Sequence, residues 1–420
     1  MVQSFKLTGI NEHVCPIKGV TDTTQTETKD QYFKFHNSVD EIGADWDELL
    51  PASKSLLSTA YWKALEAAPT EGMKFCYLAF YCEGKIFGVA VCQIIHFNAS
   101  ESMNSLEDDK PQSVYSAVSL GFKKAVARHV DYTVLVCGNV LFTGEHGYYF
   151  KGDFDQQFLY NKLSESLDVA RNHLSKQGQK ISFTFLKDFY KETQPDIGSA
   201  LKTKGFHEFN IQPSMILDIR EHWNTFEDYL AQMSSKYRVR AKSVMKKAKA
   251  IQIREFDLPE INQYKSRISE LYINIAKKSG FNAVILNEDY FSSLKEHLGD
   301  QFRLYGHFLE DQLVAFHTTI AVGDELEAHF LGFDHQLNRE HKIYNNTLYV
   351  MIQFGIANGF KKVVFARTAL EIKSSVGAVA HEMFCYFRYK SAIPNKFLKS
   401  VFDYLNDKES WTPRSPFKES

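Results

Sequence analysis

The chain has 420 residues, 44% of them hydrophobic and 24% charged, and a formal net charge of −2. That length exceeds one ordinary core, so two domains of roughly 200 residues are expected. The near-neutral balance excludes a general polyanion binder, so any anion site must come from a local cluster. No apolar run approaches the roughly 20 residues needed to span a bilayer, and the first thirty residues hold no signal-peptide pattern. Both point to a cytoplasmic protein, at most peripheral to the inner membrane surface.

Residues 1–30 are polar and Thr-rich and read as a disordered tail. "YFKFHNS" begins the first strand. Val39, Ile42, Trp46, Leu49 and Leu50 recur at helical spacing, and a second helix follows between a Ser58 cap and a Pro69 stop. "KFCYLAFYC" and "IFGVAVCQIIHF" form a hairpin across "EGK". "YTVLVCGNVLF" reads as a strand, "TGEHGYYFKGD" as a Gly-rich loop and residues 155–177 as an amphipathic helix. "KISFTFL" is a strand, "PDIGSALKTKGF" a short helix and "HEFNIQPSMILDI" a further strand.

The order then restarts after a basic helix. "AIQIREFD" is a strand, followed by helices over residues 259–279 and "NEDYFSSLKEHLG". A hairpin of "FRLYGHFL" and "LVAFHTTIAV" leads through "LEAHFLGF" and the loop "DHQLNREHKIYNN" to the helix "TLYVMIQFGIANG". The strand "KKVVFAR", a polar segment, the strand "EMFCYFRY" and a helix over residues 395–406 complete the half. "FYCEGKIFGVAV" matches "HFLEDQLVAFHT" in pattern, and "DIGSALKTKGFHEF" matches "EIKSSVGAVAHEMF". In the same order, these echoes indicate an internal repeat, with domains at 31–220 and 221–408 and a C-terminal tail at 409–420. The six cysteines form no C-x-x-C pair and are expected to be buried free thiols.

This order of elements resembles the acyl-CoA N-acyltransferase (GCN-related acetyltransferase, GNAT) fold, an α/β architecture with a mixed sheet, in two tandem copies. The junction "MSSKYRVRAKSVMKKAKA" resembles the Ser-x-x-x-Arg start of the basic helix in Fem-like peptidoglycan-bridge aminoacyltransferases and the tandem bacterial N-acyltransferases related to them. "ALEIKSSVGA" resembles their Lys-x-x-x-Gly segment before the final strands. The resemblance covers residues 31–408. It implies an N-acyltransferase, moving a group other than aminoacyl from an acyl-CoA or acyl-carrier protein to an amine acceptor. That acceptor would be an amino sugar, a peptide precursor or a long-chain lipid amine. No metal and no DNA are implied. Aminoacyl-tRNA-dependent transfer to a cell-wall precursor is the alternative, disfavoured because residues 259–300 hold no coiled-coil heptads. A non-catalytic ligand-binding pair of domains is the reading from another class. The Arg/Gln-x-x-Gly-x-Gly/Ala loop that cradles the CoA pyrophosphate in classical members is absent from "DHQLNREHKIYNN".

Four groups of residues are candidates for the chemistry. From Tyr229 to Arg254 there is no acid, and Arg238 and Lys242 lie on the cationic face of a helix whose other face is apolar, as an anion site requires. Arg339, His341 and Lys342 precede a helix that Asn345 or Asn346 would cap, a second anion site for donor phosphates. His317 and His329 share a hairpin, and either is a candidate general base. A two-residue turn would send them to opposite faces, a three-residue turn to the same face. Arg367 ends the strand that the resemblance places beside the donor thioester, and Glu371 and Lys373 start a short helix after it. Glu371 would take the amine proton and Lys373 or Arg367 stabilise the oxyanion; the competing reading is an ion pair fastening a short helix.

Overall fold

Among the described residues, strands rich in aromatic and β-branched side chains build a single sheet of fourteen strands. The computed structural model describes residues 3–6, 31–98, 131–152, 154–194, 197–276, 285–389 and 411–418. In the first half these are β1 (Gln3–Lys6), β2 (Gln31–His36), β3 (Met73–Cys82), β4 (Lys85–Asn98), β5 (Asp131–Cys137), β6 (Tyr148–Phe150), β7 (Ile181–Tyr190) and β8 (His207–Asp218), with helices α1 (Asp45–Leu49), α2 (Thr59–Ala67), α3 (Gln156–Lys176) and α4 (Ile197–Thr203). The second half starts with α5 (Phe226–Gln232) and the basic helix α6 (Ser235–Lys247). It continues through β9 (Gln252–Glu255), α7 (Leu258–Ala276), α8 (Tyr290–Leu298), β10 (Phe302–Leu309), β11 (Gln312–Val322), β12 (Glu325–Phe333), α9 (His335–His341), α10 (Ile343–Ala357), β13 (Lys362–Val364), α11 (Leu370–Ser375) and β14 (Val379–Tyr389).

The local signals act as their chemistry dictates. Ser58 caps α2 by accepting from the Tyr61 N–H at 3.3 Å. The hairpins turn on Glu83–Gly84 and Glu310–Asp311, all four residues at positive φ as a tight two-residue hairpin requires. Several details differ from the expectation. The helix over residues 39–50 divides into a 3₁₀ turn (Val39–Glu41) and α1. The strand "YTVLVCGNVLF" stops at Cys137, because Gly138 takes a φ of 145° and turns the chain into a loop. The loop before α10 contains α9. Gln3–Lys6 pairs with β2 inside the stretch expected to lack structure; the helix expected over residues 395–406 lies outside the described residues. Cys76, Cys92, Cys137 and Cys385 are buried free thiols, whereas Cys82 is disulfide-bonded. No helix among the described residues is long and apolar enough to cross a membrane.

The strand order is β1-β2-β3-β4-β5-β7-β14-β8-β13-β12-β11-β10-β9, with β6 on β4. The halves exchange their last strands. β8, from the first half, pairs with β13 (Ile216 opposite Val364), and β14, from the second, pairs with β7 (Phe387 opposite Phe185). β8 and β14 pair with each other in the middle of the sheet. Two pairs are parallel, β5 with β7 and β12 with β13. The latter extends only from Glu325–Lys362 to Glu327–Val364, after which the strands part.

Helices α1, α2, α7 and α8 cover one face with a core common to both halves, in which Tyr61, Trp62, Tyr290 and Phe291 are buried. There the Ser293 hydroxyl donates to the Ala64 carbonyl at 2.8 Å. The other face holds two cores, one under α3 and α4 and one under α5, α6 and α10. Shared strands and a shared core make the halves one cooperative unit. Trp62→Ala therefore costs about 3–5 kcal/mol and leaves a single calorimetric transition; separate melting of the two halves would contradict this coupling.

Candidate functional site

Where β12 and β13 part, the last paired residue of β12 is Glu327. Leu326 belongs to the core under α10, so strand alternation turns Glu327 to the opposite face. The loop from Gly138 to Gly147, from the first half, lies over it. Asn139 ties this loop down by donating to the Tyr61 hydroxyl at 2.9 Å, and the Gln93 side chain accepts from the Val140 N–H at 2.7 Å. Phe142 stacks on His329 of β12 with ring centroids 4.5 Å apart.

The loop brings His146 against Glu327, with Nε2 3.9 Å from Oε1. The two residues are 8% and 3% exposed, and neither ring nitrogen of His146 has a hydrogen-bond partner. Burial, reinforced by Glu325, pushes the Glu327 carboxyl well above the ordinary carboxylate range. Burial, with Lys54 and Lys187 nearby, pulls His146 down to about 3, so its imidazole is neutral at physiological pH.

Beside this pair lies a buried ionic cluster at the end of β7. Asp188 is fully buried and sits at a φ of 58°. Its carboxylate accepts from Lys187 Nζ and from the Gly144 N–H at 3.0 Å. Arg367 Nη1 approaches it at 3.9 Å from the second half. Burial pushes the Asp188 carboxyl up, but Lys187, Arg367 and the bound N–H outweigh it and leave it below the usual range. Lys187 also donates to the Phe142 carbonyl at 2.6 Å, so the ion pair anchors the loop that carries His146. On the loop's far side, Lys54 donates to the Glu145 carbonyl at 3.0 Å.

The structure thus brings Arg367 to the site and redirects its expected companions. Lys373 is 5% exposed, and its ammonium donates to the carbonyls of Phe365, Ala366 and Arg367. All three of its donors are consumed, so it cannot meet an oxyanion; burial and Arg367 draw its amine down to about 7. It fastens a turn in which Ala366, Thr368 and Ala369 all have positive φ. Glu371 is half-exposed and pairs with Arg414, a partner outside the segment.

His317 is not positioned as a base. The turn at Gly323–Asp324 has two residues, and a bulge places His317 opposite Leu331. The ring is buried, shares a 2.7 Å hydrogen bond with His307 and stacks on Tyr305. His329 points to the other face and bonds Tyr290 and Thr318. Neither Asn345 nor Asn346 caps α10: Lys342 does so at a φ of 56°, and the Tyr344 N–H is taken by the Asn338 side chain at 2.8 Å. His341 bonds the Lys247 carbonyl at the end of α6 at 3.2 Å, while Arg339 stays exposed. Lys242 faces solvent on α6, and Arg238 reaches the Ala231 carbonyl at 3.4 Å.

Sequence reasoning missed Glu327, His146, Lys187 and Asp188. The available signals were a lone acid inside the apolar "LEAHFLGF" and a charged pair ending the strand "ISFTFLKDFY". No group of His, Cys, Asp and Glu suited to a metal ion occurs among the described residues.

The Acetyltransferase (GNAT) domain family matches residues 235–374. No curated protein matches the sequence. Among solved structures, FemX is similar at a TM-score of 0.52 and 13% identity, over 87% of this chain and 99% of that one. A tandem GNAT protein from the clavulanic acid biosynthesis pathway has a TM-score of 0.48 and 10% identity, over 86% and 99%. L-PGS from Bacillus licheniformis has a TM-score of 0.45 and 12% identity, over 82% and 96%. The likeness to FemX concerns the fold alone. Lys373→Met is expected to cost about 2–4 kcal/mol in denaturant unfolding, because three carbonyls lose a buried donor. Glu371→Ala changes stability by less than about 0.5 kcal/mol.

Proposed function

We propose that this tandem GNAT-fold chain transfers an acyl group to an amine by direct attack, at the parting of β12 and β13, with Glu327 as the base. The buried Glu327 carboxyl carries the reading. An ordinary carboxylate is too weak a base for an ammonium, and burial brings its proton affinity toward that of the group it must serve. The amine nitrogen bonds to the donor's carbonyl carbon while the carbon–sulfur bond of a thioester, or the carbon–oxygen bond of an ester, breaks. The nitrogen's surplus proton goes to Glu327 and from there to the departing thiolate or alkoxide. Arg367, 31% exposed and held near Asp188, supplies positive charge for the tetrahedral oxyanion.

The donor is an acyl group on a phosphate-bearing carrier, with acyl-CoA or acyl-carrier protein as the leading choice. Exposed Lys236, Arg240, Lys242, Lys246 and Lys247 leave α6 with a cationic face, and His341 links α6 to the loop before α10. With no glycine cradle at α10, such a surface would provide the phosphate contacts. The second donor class is an aminoacyl-tRNA, which would use the same face.

The test is amide formation followed by mass spectrometry, with acyl-CoAs of graded chain length, acylated carrier protein and aminoacylated tRNA offered beside a panel of primary amines. Amide product from a thioester is expected, falling at least about 100-fold in Glu327→Gln. Product from charged tRNA alone would replace the thioester donor. Full turnover by a folded Glu327→Gln would remove Glu327 from the chemistry.

A further inference from the structure

We infer that His146 and Glu327 together form the acceptor subsite, a cradle for one unhindered primary amine nitrogen, made jointly by the two halves of the chain. The inference rests on the reading of Glu327 as the base. Buried polar groups normally find partners. Here both nitrogens of His146 have none, and no donor from the described residues reaches the Glu327 carboxylate. The two face each other at 3.9 Å, too far for a hydrogen bond. A nitrogen about 2.9 Å from each spans that gap with two N–H bonds to give.

The placement of His146 is built. Its backbone N–H donates to the Gly144 carbonyl at 2.9 Å, and the Gly144 N–H donates to the Asp188 carboxylate at 3.0 Å. A Cβ at Gly144 would come within 2.8 Å of His146 Nε2, and its φ of 127° excludes other residues without strain. Burial first, and then Lys54 and Lys187 from the segments packed against the loop, keep the imidazole neutral, opposed by Asp188. A neutral imidazole accepts from an ammonium rather than repelling it.

The chemistry of the acceptor follows. Both groups are more than nine-tenths buried, and Phe142 lies beside His146. Groups so buried favour a slender, uncharged arm ending in a primary amine over a 2-amino sugar, whose nitrogen is on a branched ring carbon. The structure therefore narrows the acceptor to alkyl amines such as the side chain of a lysine or one end of a diamine.

Ligand-detected NMR on the full chain, with n-hexylamine, n-hexanol and glucosamine as probes, reads this without turnover. Hexylamine is expected to bind, about tenfold more weakly to His146→Gln and to Glu327→Gln; hexanol and glucosamine bind no better to wild type than to the variants. Should a variant fail to fold, wild-type protein with ¹⁵N-labelled histidine gives the same answer. A buried neutral imidazole then shifts on adding hexylamine but not hexanol. Hexylamine binding unaffected by His146→Gln, a histidine spectrum that does not respond, or equal binding of glucosamine overturns the subsite. Amine binding that needs both residues, combined with turnover indifferent to Glu327, refutes the base and leaves the subsite standing.

Discussion

The constraint on which the molecule depends is the pairing of β8 with β14 in the middle of one continuous sheet. Each strand completes the sheet of the other half, so neither half of the sequence contains its own edge. Without the exchange, β7 and β13 would present unpaired N–H and C=O groups in a buried position, which costs free energy at every residue. The common core under α2 and α8 then closes the same seam from above. The two halves of the chain are thus one body in three dimensions.

That seam explains where the polar chemistry sits. A charge is expensive to bury unless partnered, yet Lys187, Asp188 and Lys373 are buried here. Lys187 and Asp188 balance each other and hold the loop of the first half onto β12 of the second. Lys373 caps a strained turn and so aims Arg367 across the seam. Glu327 and His146 are buried facing each other at 3.9 Å, with no hydrogen bond on either His146 nitrogen. Groups left in that condition mark a place where the structure spends stability on function.

Much of the architecture was legible in the sequence. Periodicity and turn signals located most elements, and the repeated order pointed to the tandem fold. The exchange of strands was not legible, because the alternation of β8 is the same whichever strand it pairs with. "ALEIKSSVGA" was found as a special segment, but spacing cannot say where a lysine side chain ends. Lys373 turned back onto three carbonyls, and Glu371 found Arg414, 43 residues along the chain. His146 and Glu327 lie far apart in sequence, one in a Gly-rich loop and the other in an apolar strand; only the fold of both halves joins them.

The central claim is that the carboxyl at the parting of β12 and β13 holds its proton far above the ordinary range because both halves bury it. Carbon-13 NMR of protein labelled at the glutamate carboxyl measures this directly, with Glu327→Gln supplying the assignment. The account predicts one glutamate resonance still in its protonated position at a pH where the surface glutamates have ionised, absent from the Glu327→Gln spectrum. A Glu327 signal that titrates with the surface glutamates, near the usual value of about 4.3, would contradict it.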